Sequence, residues 1–503
     1  MKDKIVNNKI YLYNGEIISL EEYFDRVTDS QQTQTEMKQM DSEHSKWKSP
    51  YNWRYGSHNM RYTWSEVYKR RLWRQIWVEM AEAQMEAGLT TLLQVEELRE
   101  NQDRIDIERS IEFENQLHHD LMAEVHTYGE QCPAAKGIIH LGATSMDIED
   151  NADAIRLKEA MDLTIQNLDK VLLALAGRIN EYADLPTMAF THLQPAEPTT
   201  VGYRLAWHGQ DLLSDRKDLK RLYSDIKGKG FKGAVGTSAS YRELFKGTSV
   251  TAESFEKSVM GSLELESFDV TSQTYPRKQD LRILNALSCL GQTLYKFAFD
   301  LRILQSPPFG ELAEPFGSKQ IGSSAMPFKR NPINAENIDS LARLLATLPR
   351  VAWDNAAHSL LERTLDDSGN RRTILPQAFL IVDELLKKTK RIINGLNVSE
   401  EACQRLMRTY GTFAATEKLL MLCVRRGADR QEIHEVIREH SMAAWQNIKS
   451  GSILTKTLSA DSRIQNYLSV EEIRESLKAD DYVGIAPERS LKMSELIQNT
   501  LEE

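Results

Sequence analysis

Residues 161–182 read MDLTIQNLDKVLLALAGRINEY, and this stretch sets the expectation for the whole architecture. Apolar side chains recur in it at alternating steps of four and three positions, at Met161, Ile165, Leu168, Leu172, Leu175, Ile179 and Tyr182. A seven-residue apolar repeat forms one stripe along a helix, and helices with such stripes pack side by side at shallow angles. Pro186 follows soon after and cannot continue a helix. The stretch therefore predicts one long helix of a bundle.

Three further stretches carry apolar stripes of the same kind. Two are clear, and they consist of Ile283, Leu287, Leu290, Leu294, Phe297, Leu301 and Leu304, and of Ile338, Leu341, Leu345, Leu348 and Ala352. A looser one consists of Leu205, Leu212, Leu219, Leu222 and Ile226. Helices of about 20 residues form rods of at least ~30 Å, so the predicted fold is all-α with a central bundle of long helices. Because one chain does not cover every face of such rods, we expect identical chains to assemble bundle on bundle.

The composition indicates a soluble, cytoplasmic protein. The chain has 503 residues, more than a single core holds, and a net charge of −10 with both signs mixed throughout. This balance argues against general binding to nucleic acid or to a membrane surface. The four cysteines are widely scattered without a CxxC pair, which fits reduced thiols and neither a zinc site nor a disulfide framework. We expect no targeting leader and no membrane span, since no apolar run approaches ~18 residues.

The pattern along the chain predicts an extension followed by three helical domains. Within the extension, Ser30–Ser49 has almost nothing to bury, so we expect it to be mobile or loosely attached. The predicted boundaries are 1–50 for the extension, 51–144 for the first domain, 145–397 for the long-helix bundle and 398–503 for the last domain. In the last domain we expect smaller helices at Glu400–Tyr410, Phe413–Arg426 and Arg430–Ile448, and then a polar tail.

Residues 320–337, QIGSSAMPFKRNPINAEN, combine flexibility with reactive side chains. Glycines in and before this stretch give it the freedom of a mobile loop. Ser323, Lys329, Arg330 and Asn331 fall within nine positions, ahead of a proline at the predicted start of a helix. A hydroxyl close to two cations and a helix N-terminus can hold an anion or lose its proton. The alternative is an ordinary surface loop between two helices.

His118, His119 and Asp120 open a segment that has a helical pattern as far as His126. His119 and His126 are seven residues apart, which would place them on roughly one helix face. A metal site is not supported, because no histidine pair four residues apart is completed by a carboxylate. From the spacing alone, we expect these histidines to cap the helix or to form hydrogen bonds.

Thr144 and Ser145 follow a glycine and an alanine in a short polar turn before a helix. Capping of that helix explains both hydroxyls without any ligand. A pair of hydroxyls at a helix N-terminus is also suited to holding a carboxylate. The residues alone leave both interpretations open.

His192 lies in AFTHLQP, residues 189–195, between the first two predicted rods. A lone histidine in a loop is more often structural. Imidazole is nevertheless the side chain best suited to exchange protons near neutral pH. Arg54 and Tyr55 leave a similar choice open, between a surface pair and a ligand contact, ahead of the first predicted helix.

Residues 362–372, ERTLDDSGNRR, carry alternating charge, which usually marks a solvated face. Arg363, Ser368 and Arg372 nevertheless bring two guanidinium groups and a hydroxyl close together in the chain. These groups are suited to binding a phosphate dianion.

Together these motifs resemble the signature sequences of the fumarase/aspartase superfamily, whose enzymes cleave C–N or C–O bonds to release fumarate. The similar stretches are residues 322–332 (GSSAMPFKRNP), 142–145 (GATS), 191–195 (THLQP) and 362–372. The resemblance extends from about Trp53 into the C-terminal helices. It implies an all-α, three-domain fold and a homotetramer with a twenty-helix core. Each active site of such a tetramer would draw on three subunits.

The resemblance also implies a β-elimination. Ser323 would remove a proton from the carbon beside a succinyl carboxylate, and His192 would protonate the departing nitrogen. Lys329 would stabilise the dianion that forms, and Glu336 would be the carboxylate partner of His192. The residues implied to bind substrate are Arg54, Tyr55, His118, His119, Asp120, Thr144, Ser145, Thr191, Gln273, Asn331, Asn337, Arg363, Ser368 and Arg372. No metal or organic cofactor is implied.

Residues 362–372 resemble the branch of the superfamily that acts on succinylated purine nucleotides. The implied substrates are adenylosuccinate and its purine-pathway relative SAICAR, and the implied products are AMP, AICAR and fumarate. Asn337 and His118 stand where the animal enzymes carry Arg, so a substrate contact at these positions can differ.

Two alternatives remain at this stage. The first is argininosuccinate lyase or fumarase, which the phosphate-binding segment disfavours. The second is a catalytically silent structural protein derived from the superfamily. The intact Ser323, Lys329, His192 and Glu336 argue against the second, because a purely structural copy does not need them.

Overall fold

The computed structural model describes residues 4–6, 9–11, 17–19, 46–317, 319–446 and 451–502. The chain divides into two compact units, residues 1–55 and residues 56–503. In the first unit, β1 (Lys4–Val6), β2 (Lys9–Tyr11) and β3 (Ile17–Ser19) form an antiparallel sheet, and a short 3₁₀ helix spans Pro50–Asn52. The stretch Ser30–Ser49, which we expect to be mobile or loosely attached, lies outside the described residues except for its last four positions.

The second unit is almost entirely helical. Its first helices are α1 (His58–Thr63), α2 (Glu66–Met85), α3 (Leu92–Asn101), α4 (Ile107–Leu117), α5 (Asp120–Gln131) and α6 (Ser145–Glu181). Next come β4 (Pro186–Thr191), β5 (Gln194–Thr200), α7 (Val201–Asp225), α8 (Ala239–Leu244), α9 (Ala252–Ser262), α10 (Lys278–Gln305), β6 (Leu312–Ala313), α11 (Ile333–Leu345), α12 (Leu348–Ala357) and α13 (Ser368–Asn394). The last are β7 (Asn397–Val398), α14 (Glu400–Ala414), α15 (Thr416–Arg425), α16 (Arg430–Trp445), α17 (Gly451–Ser459), α18 (Ser462–Gln465), α19 (Val470–Ser476) and α20 (Ala486–Glu502).

The long helices form the bundle that the apolar stripes predict. Helix α6 has 37 residues and is about 55 Å long at 1.5 Å per residue. It packs along α7, α13 and α20, while α10 packs against α7, α11, α12 and α13. The stripe that defines α6 is its buried face, because Leu168, Leu172 and Leu175 are completely buried. The prediction of an all-α fold with a central long-helix bundle is confirmed.

One predicted rod is two helices in the structure. The stripe from Ile338 to Ala352 crosses a break between α11 and α12, at Ala346 and Thr347. Pro349 lies in the first turn of α12, where its missing N–H costs no hydrogen bond. The apolar stripe therefore continues across a helix break that lies just before a proline.

The expected polar tail is also different in the structure. Most of the residues beyond Trp445 that the structure describes are helical, and the final helix α20 packs along α6 and α7. Ser494 donates a hydrogen bond to the backbone carbonyl of Ala176 at 3.0 Å, and Ile497 is completely buried. Small polar residues on α20 therefore serve close helix packing, which a count of polar residues does not reveal.

A two-stranded hairpin interrupts the helices between α6 and α7. Strands β4 and β5 pair antiparallel, and Thr191 faces Gln194 across the turn. The two turn residues, His192 and Leu193, have φ angles of 56° and 58°. Turns with positive φ at both central positions match the twist of the flanking strands.

No helix among the described residues has the length and apolar composition that a membrane crossing requires.

Candidate functional site

Predicted phosphate-binding residues line a cavity between α1–α2, α5, α6 and α13. The cavity has a volume of about 90 Å³. Three predicted residues at its wall, Arg363, Ser368 and Arg372, come from the segment 362–372, and Asp120 faces them. The complete lining consists of Trp64, Glu66, Lys69, Trp73, Asp120, Met146, Glu149, Asp153, Arg156, Arg363, Ser368, Arg371, Arg372, Leu375 and Pro376. Basic side chains on several helices therefore converge on a space that suits a small anion.

The N-terminus of α6 lies beside this cavity and carries the predicted hydroxyl pair. Thr144 is the N-cap of α6, and its backbone N–H donates to Asp147 at 3.1 Å. Ser145 is the first helical residue, and its Oγ lies 3.3 Å from His119 Nε2. Met146, from the first turn of α6, also lines the cavity. The expected helix start at Thr144 and Ser145 is present.

The prediction that His119 and His126 share one helix face is wrong. His118 ends α4 in the left-handed region with a φ of 54°, and His119 is the N-cap of α5. His119 Nδ1 accepts a hydrogen bond from the backbone N–H of Met122 at 3.5 Å, which leaves Nε2 to donate to Ser145. His119 and His126 therefore do not share a helix face, because His119 precedes the helix. His118 is exposed.

Asp120 and Arg372 pair at the cavity wall. Arg372 Nη2 donates to Asp120 Oδ2 at 2.6 Å. Burial raises the pKa of Asp120, but the positive charge and hydrogen bond of Arg372 outweigh burial and bring the pKa below its ordinary value. Asp120 is therefore ionised at neutral pH, and it orients Arg372 before any ligand binds.

Glu149 also lines the cavity and has the opposite electrostatic environment. Burial, followed by the negative charges of Asp120, Asp153 and Asp150, raises the pKa of Glu149 to about 8. The carboxyl group is therefore mostly protonated at neutral pH, and it adds little negative charge to a cavity that is predicted to accept an anion. Sequence reasoning missed Glu149, because its burial depends on helices that are distant in the chain.

The segment that contains Gln273 connects the cavity to the start of α6. The backbone N–H of Gln273 donates to the carbonyl of Glu362 at 3.1 Å, next to Arg363. Two residues later, the backbone N–H of Tyr275 donates to Asp150 on α6 at 2.8 Å. Gln273 is therefore close to the segment 362–372, and its implied contact with substrate stays a prediction.

A glycine-rich loop, residues 227–236, packs against the first turn of α6. Asp147 is completely buried and accepts an ion pair from Lys229. It also accepts hydrogen bonds from the backbone N–H of Gly233 at 3.2 Å and from the Tyr241 hydroxyl at 3.1 Å. At Gly236, a Cβ atom would lie 2.0 Å from the carbonyl oxygen of Thr271, so only glycine fits. The lysines of this loop are structural ion-pair partners.

The loop with the predicted base lies between α10 and α11. Ser323 Oγ accepts hydrogen bonds from the backbone N–H of Ala325 at 3.3 Å and of Met326 at 3.1 Å. Two backbone donors stabilise an oxyanion better than a neutral hydroxyl, which favours loss of the serine proton. Asn331 Nδ2 donates to the Gly322 carbonyl at 2.8 Å and closes the loop on itself. Lys329 is exposed, and no ion pair to it is found in the described part of the chain.

Other predicted reactive residues lie on exposed parts of the same chain. Thr191 and His192 are exposed at the hairpin turn, and Glu336 is exposed in the first turn of α11. Asn337 follows Glu336, and its buried Oδ1 has no hydrogen-bond partner among the described residues. Within one chain, no hydrogen bond or ion pair joins His192 to Glu336 in the described ranges.

Within the second unit, the predicted site residues therefore fall into two groups at opposite ends of α10. Arg277 is the residue just before this helix and pairs with Asp367, whereas Gln305 at its end donates to the Arg330 carbonyl at 3.0 Å. The 28 residues of α10 span about 42 Å. We call the cavity with the start of α6 the binding end, and the loop 320–331 with the start of α11 the reactive end.

The hairpin turn of His192 belongs to the same half of the molecule as the reactive end. The ring of Phe190 lies 4.9 Å from that of Phe309, which follows α10. Arg204, at the start of α7, pairs with Glu311 at 3.0 Å. One chain thus holds its predicted binding groups and its predicted reactive groups a bundle length apart.

Arg54 and Tyr55 belong to the first compact unit. Within that unit, Arg54 Cζ lies 5.7 Å from the ring centroid of Trp53 and 6.0 Å from that of Tyr55. Their implied contact with substrate stays a prediction. In the described ranges, no group of three or more His, Cys, Asp or Glu side chains is arranged to hold a metal ion.

Comparisons with known proteins identify lyases among the relatives of this chain. A family model described as "Lyase" matches residues 19–345, and one described as "Adenylosuccinate lyase C-terminus" matches residues 412–490. The chain is similar to the adenylosuccinate lyase of Saccharomyces cerevisiae, with 40% identity over 88% of this chain and 92% of the relative. It is also similar to that of Schizosaccharomyces pombe, with 38% identity over 89% of this chain and 94% of the relative.

Solved structures share the fold. A 3-carboxy-cis,cis-muconate lactonizing enzyme from Pseudomonas putida aligns with a TM-score of 0.79 and 22% identity, over 89% of this chain and 98% of that one. A fumarate lyase from Mesorhizobium sp. BNC1 aligns with a TM-score of 0.78 and 20% identity, over 88% of this chain and 98% of that one.

Proposed function

The chain belongs to the adenylosuccinate lyase family, and we propose that it cleaves adenylosuccinate to AMP and fumarate, and SAICAR to AICAR and fumarate. This makes the protein a C–N lyase. The observation that carries the proposal is the cavity of Arg363, Ser368 and Arg372, in a chain that is 40% identical to a curated adenylosuccinate lyase over most of its length. A phosphate-binding group distinguishes nucleotide substrates from argininosuccinate and malate, which carry no phosphate.

In the proposed reaction, Ser323 removes a proton from the carbon beside a carboxylate of the succinyl group. The electron pair of the C–H bond is first delocalised into that carboxylate, which gives a dianion. It then forms the double bond of fumarate as the C–N bond breaks, and His192 gives its proton to the departing nitrogen. Glu336 supports the protonated His192. Because the intermediate is a carboxylate-delocalised dianion, it needs positive charge and hydrogen-bond donors around it. Those groups are Lys329, Asn331, Thr144 and Ser145.

This reaction requires both ends of the bundle at one substrate, so the active site is shared between subunits of a homotetramer. The separation of about 42 Å along α10 supports this, because a nucleotide does not extend so far. Exposed apolar side chains at both ends also support it, since Phe328 is 82% exposed and Leu361 is 84% exposed in the single chain. Large exposed apolar side chains are typical of surfaces that meet another protein.

The domain boundaries at residues 50, 144 and 397 also stay part of the proposal. The long helices α6, α7, α10 and α13 lie between residues 144 and 397, and the segment 362–372 runs into the first turn of α13. Helix α20, from the proposed last domain, packs along α6 and α7. We place the reaction in the cytoplasm. All four cysteines are free thiols in the structure, and three of them are buried, which fits a reducing compartment.

An absorbance assay with purified protein tests the proposed function. Fumarate release from adenylosuccinate and from SAICAR is expected, while argininosuccinate and malate should remain intact. Release of fumarate from argininosuccinate or malate in preference to both nucleotides would contradict the proposal. The absence of any cleavage by a folded protein would contradict it as well.

A further inference from the structure

A chain of buried ion pairs lies behind the phosphate-binding arginine. Arg277 Nη1 donates to Asp150 Oδ1 at 2.9 Å, and Arg277 Nε donates to Asp367 Oδ2 at 2.7 Å. The other oxygen of Asp367 accepts from Arg363 Nη1 at 2.8 Å. The side chains of Asp150, Arg277 and Asp367 are at most 3% exposed, whereas that of Arg363 is 20% exposed. The series therefore runs from the core to the wall of the cavity.

We propose that Asp367 is a positioning residue, which holds the Arg363 guanidinium at the cavity for the 5′-phosphate of the substrate, with Arg277 as its buried anchor. This inference rests on the function proposed above and assigns a task to two residues that contact no substrate atoms. Asp150 completes the series by tying Arg277 to α6, the helix that begins at Thr144 and Ser145.

The hydrogen bonds of Arg363 leave it free for a second partner. Its only side-chain hydrogen bond within the described ranges uses Nη1, so Nε and Nη2 remain for a phosphate. A guanidinium group binds phosphate through two parallel hydrogen bonds, which requires a fixed orientation of its plane. A side chain that is ordered before binding loses less conformational entropy when the ligand arrives.

The charge balance explains why an anchor is needed. Without Arg277, the negative charge of Asp367 would neutralise the positive charge of Arg363. A carboxylate with no other partner would also repel a phosphate dianion bound nearby. Arg277 supplies a second positive charge to the other oxygen of Asp367. Burial raises the pKa of Asp367, but the positive charges of Arg277 and Arg363 outweigh burial and lower the pKa below its ordinary value. Asp367 thus stays ionised while Arg363 keeps charge for the ligand.

A purely structural role fits the contacts less well. Asp367 is the N-cap of α13, a position at which a carboxylate commonly accepts backbone N–H groups of the first turn. Here its side chain makes no capping hydrogen bond, and both oxygens face arginines. The contacts therefore assign the carboxylate to the arginines.

Asp367→Asn tests the inference, with Asp366→Asn as the matched control. Asp366 is the adjacent carboxylate, and it is exposed. Asn keeps the size of Asp367 but removes the charge and one acceptor. In steady-state assays with adenylosuccinate, we expect Asp367→Asn to raise KM roughly tenfold, a factor that corresponds to about 1.4 kcal/mol. We expect kcat to change less than about twofold, and Asp366→Asn to leave both constants unchanged.

A double-mutant cycle separates positioning from a general structural effect. If Asp367 acts through Arg363, Asp367→Asn has almost no further effect on KM in an Arg363→Ala background. Additive effects of the two changes would overturn the inference, and so would an unchanged KM in Asp367→Asn itself. Activity of the wild type and of Asp366→Asn reports the proposed function separately, so a failure there is distinguishable.

A second variant covers the case in which Asp367→Asn does not fold. Arg277→Lys keeps the anchoring charge but lacks the fork that reaches Asp150 and Asp367 together. It should raise KM with little change in kcat, and this effect should also disappear in the Arg363→Ala background. A folded Arg277→Lys protein with wild-type KM would overturn the inference.

Discussion

The two ends of the bundle are built in different ways. At the binding end, Asp150, Arg277 and Asp367 are buried and every one of them is paired within the chain. At the reactive end, Lys329 is exposed and its neighbour Phe328 is 82% exposed. His192, in the same half of the molecule, is exposed as well. Under the proposed function, the groups that would bind the phosphate are therefore held in place within one chain, whereas the groups that would transfer protons depend on a second chain. The comparison contrasts a proposed binding site ordered by its own chain with a proposed reactive site that needs assembly.

The largest effect is expected from removing the proposed base at the reactive end. Ser323→Ala should lower kcat by roughly 100- to 10,000-fold, because general base catalysis contributes on this scale. Binding of adenylosuccinate should persist, since the binding end is untouched. Stopped assays for kcat and calorimetry for the dissociation constant measure the two quantities. Ser324→Ala, the exposed neighbouring serine, is the control.

Near-normal turnover of Ser323→Ala would remove this hydroxyl from the mechanism. An equal loss in Ser324→Ala would indicate that the loop tolerates no substitution, and the specific role of Ser323 would then fail.

A smaller effect of another kind is expected at the binding end. Arg363→Ala should raise KM by roughly 10- to 100-fold, the range for a lost hydrogen bond to a charged group. The constant kcat should change much less, because Arg363 is proposed to bind a part of the substrate that does not react. Arg438→Ala, which removes only an exposed ion pair with Glu435 at 2.6 Å, is the control. An unchanged KM in Arg363→Ala would contradict the phosphate assignment.

The smallest effect concerns the pH dependence of stability at the binding end. The pKa of Glu149 is raised to about 8 by burial and by neighbouring carboxylates, so its favourable contribution is present at low pH. That contribution is lost as pH rises from the unfolded pKa of about 4.5 to about 8, because the unfolded chain binds fewer protons there. Glu149→Gln should therefore raise the apparent Tm relative to wild type, increasingly so up to pH 8, by roughly 2 °C or more.

Thermal unfolding between pH 5 and pH 9 measures this difference in Tm. The exposed Glu100→Gln on α3 should show no such trend. A Tm difference for Glu149→Gln that is independent of pH would contradict the assignment of a protonated carboxyl group at the cavity.

The bundle was predictable from sequence because its signal is local. The stripe from Met161 to Tyr182 needs only the helical period, and the structure buries its members from Met161 to Ile179 in α6. The hairpin of β4 and β5 has no such signal, since PTMAFT and QPAEPTT lack clear alternation and contain three prolines. Helix α20 was missed because its serines pack closely against α6 while its composition is polar.

The position of candidate site residues was predictable only where they belong to one short sequence motif. Arg363, Ser368 and Arg372 fall in one short segment, so their convergence follows from the chain. The buried partners behind them could not be predicted in this way, because Arg277 and Asp150 are 127 residues apart and meet only after the bundle forms. The separation of the two ends also depends on the direction of α10, which no motif reports.

A subunit-mixing experiment tests most directly the claim that the two ends of different chains form one active site. One partner is Ser323→Ala, and the other is the double variant Arg363→Ala with Arg372→Ala, each inactive at low adenylosuccinate concentration. After subunit exchange, mixed tetramers should regain activity, because some sites combine an intact reactive end with an intact binding end. No recovery after exchange has been verified by mass spectrometry would contradict the shared site.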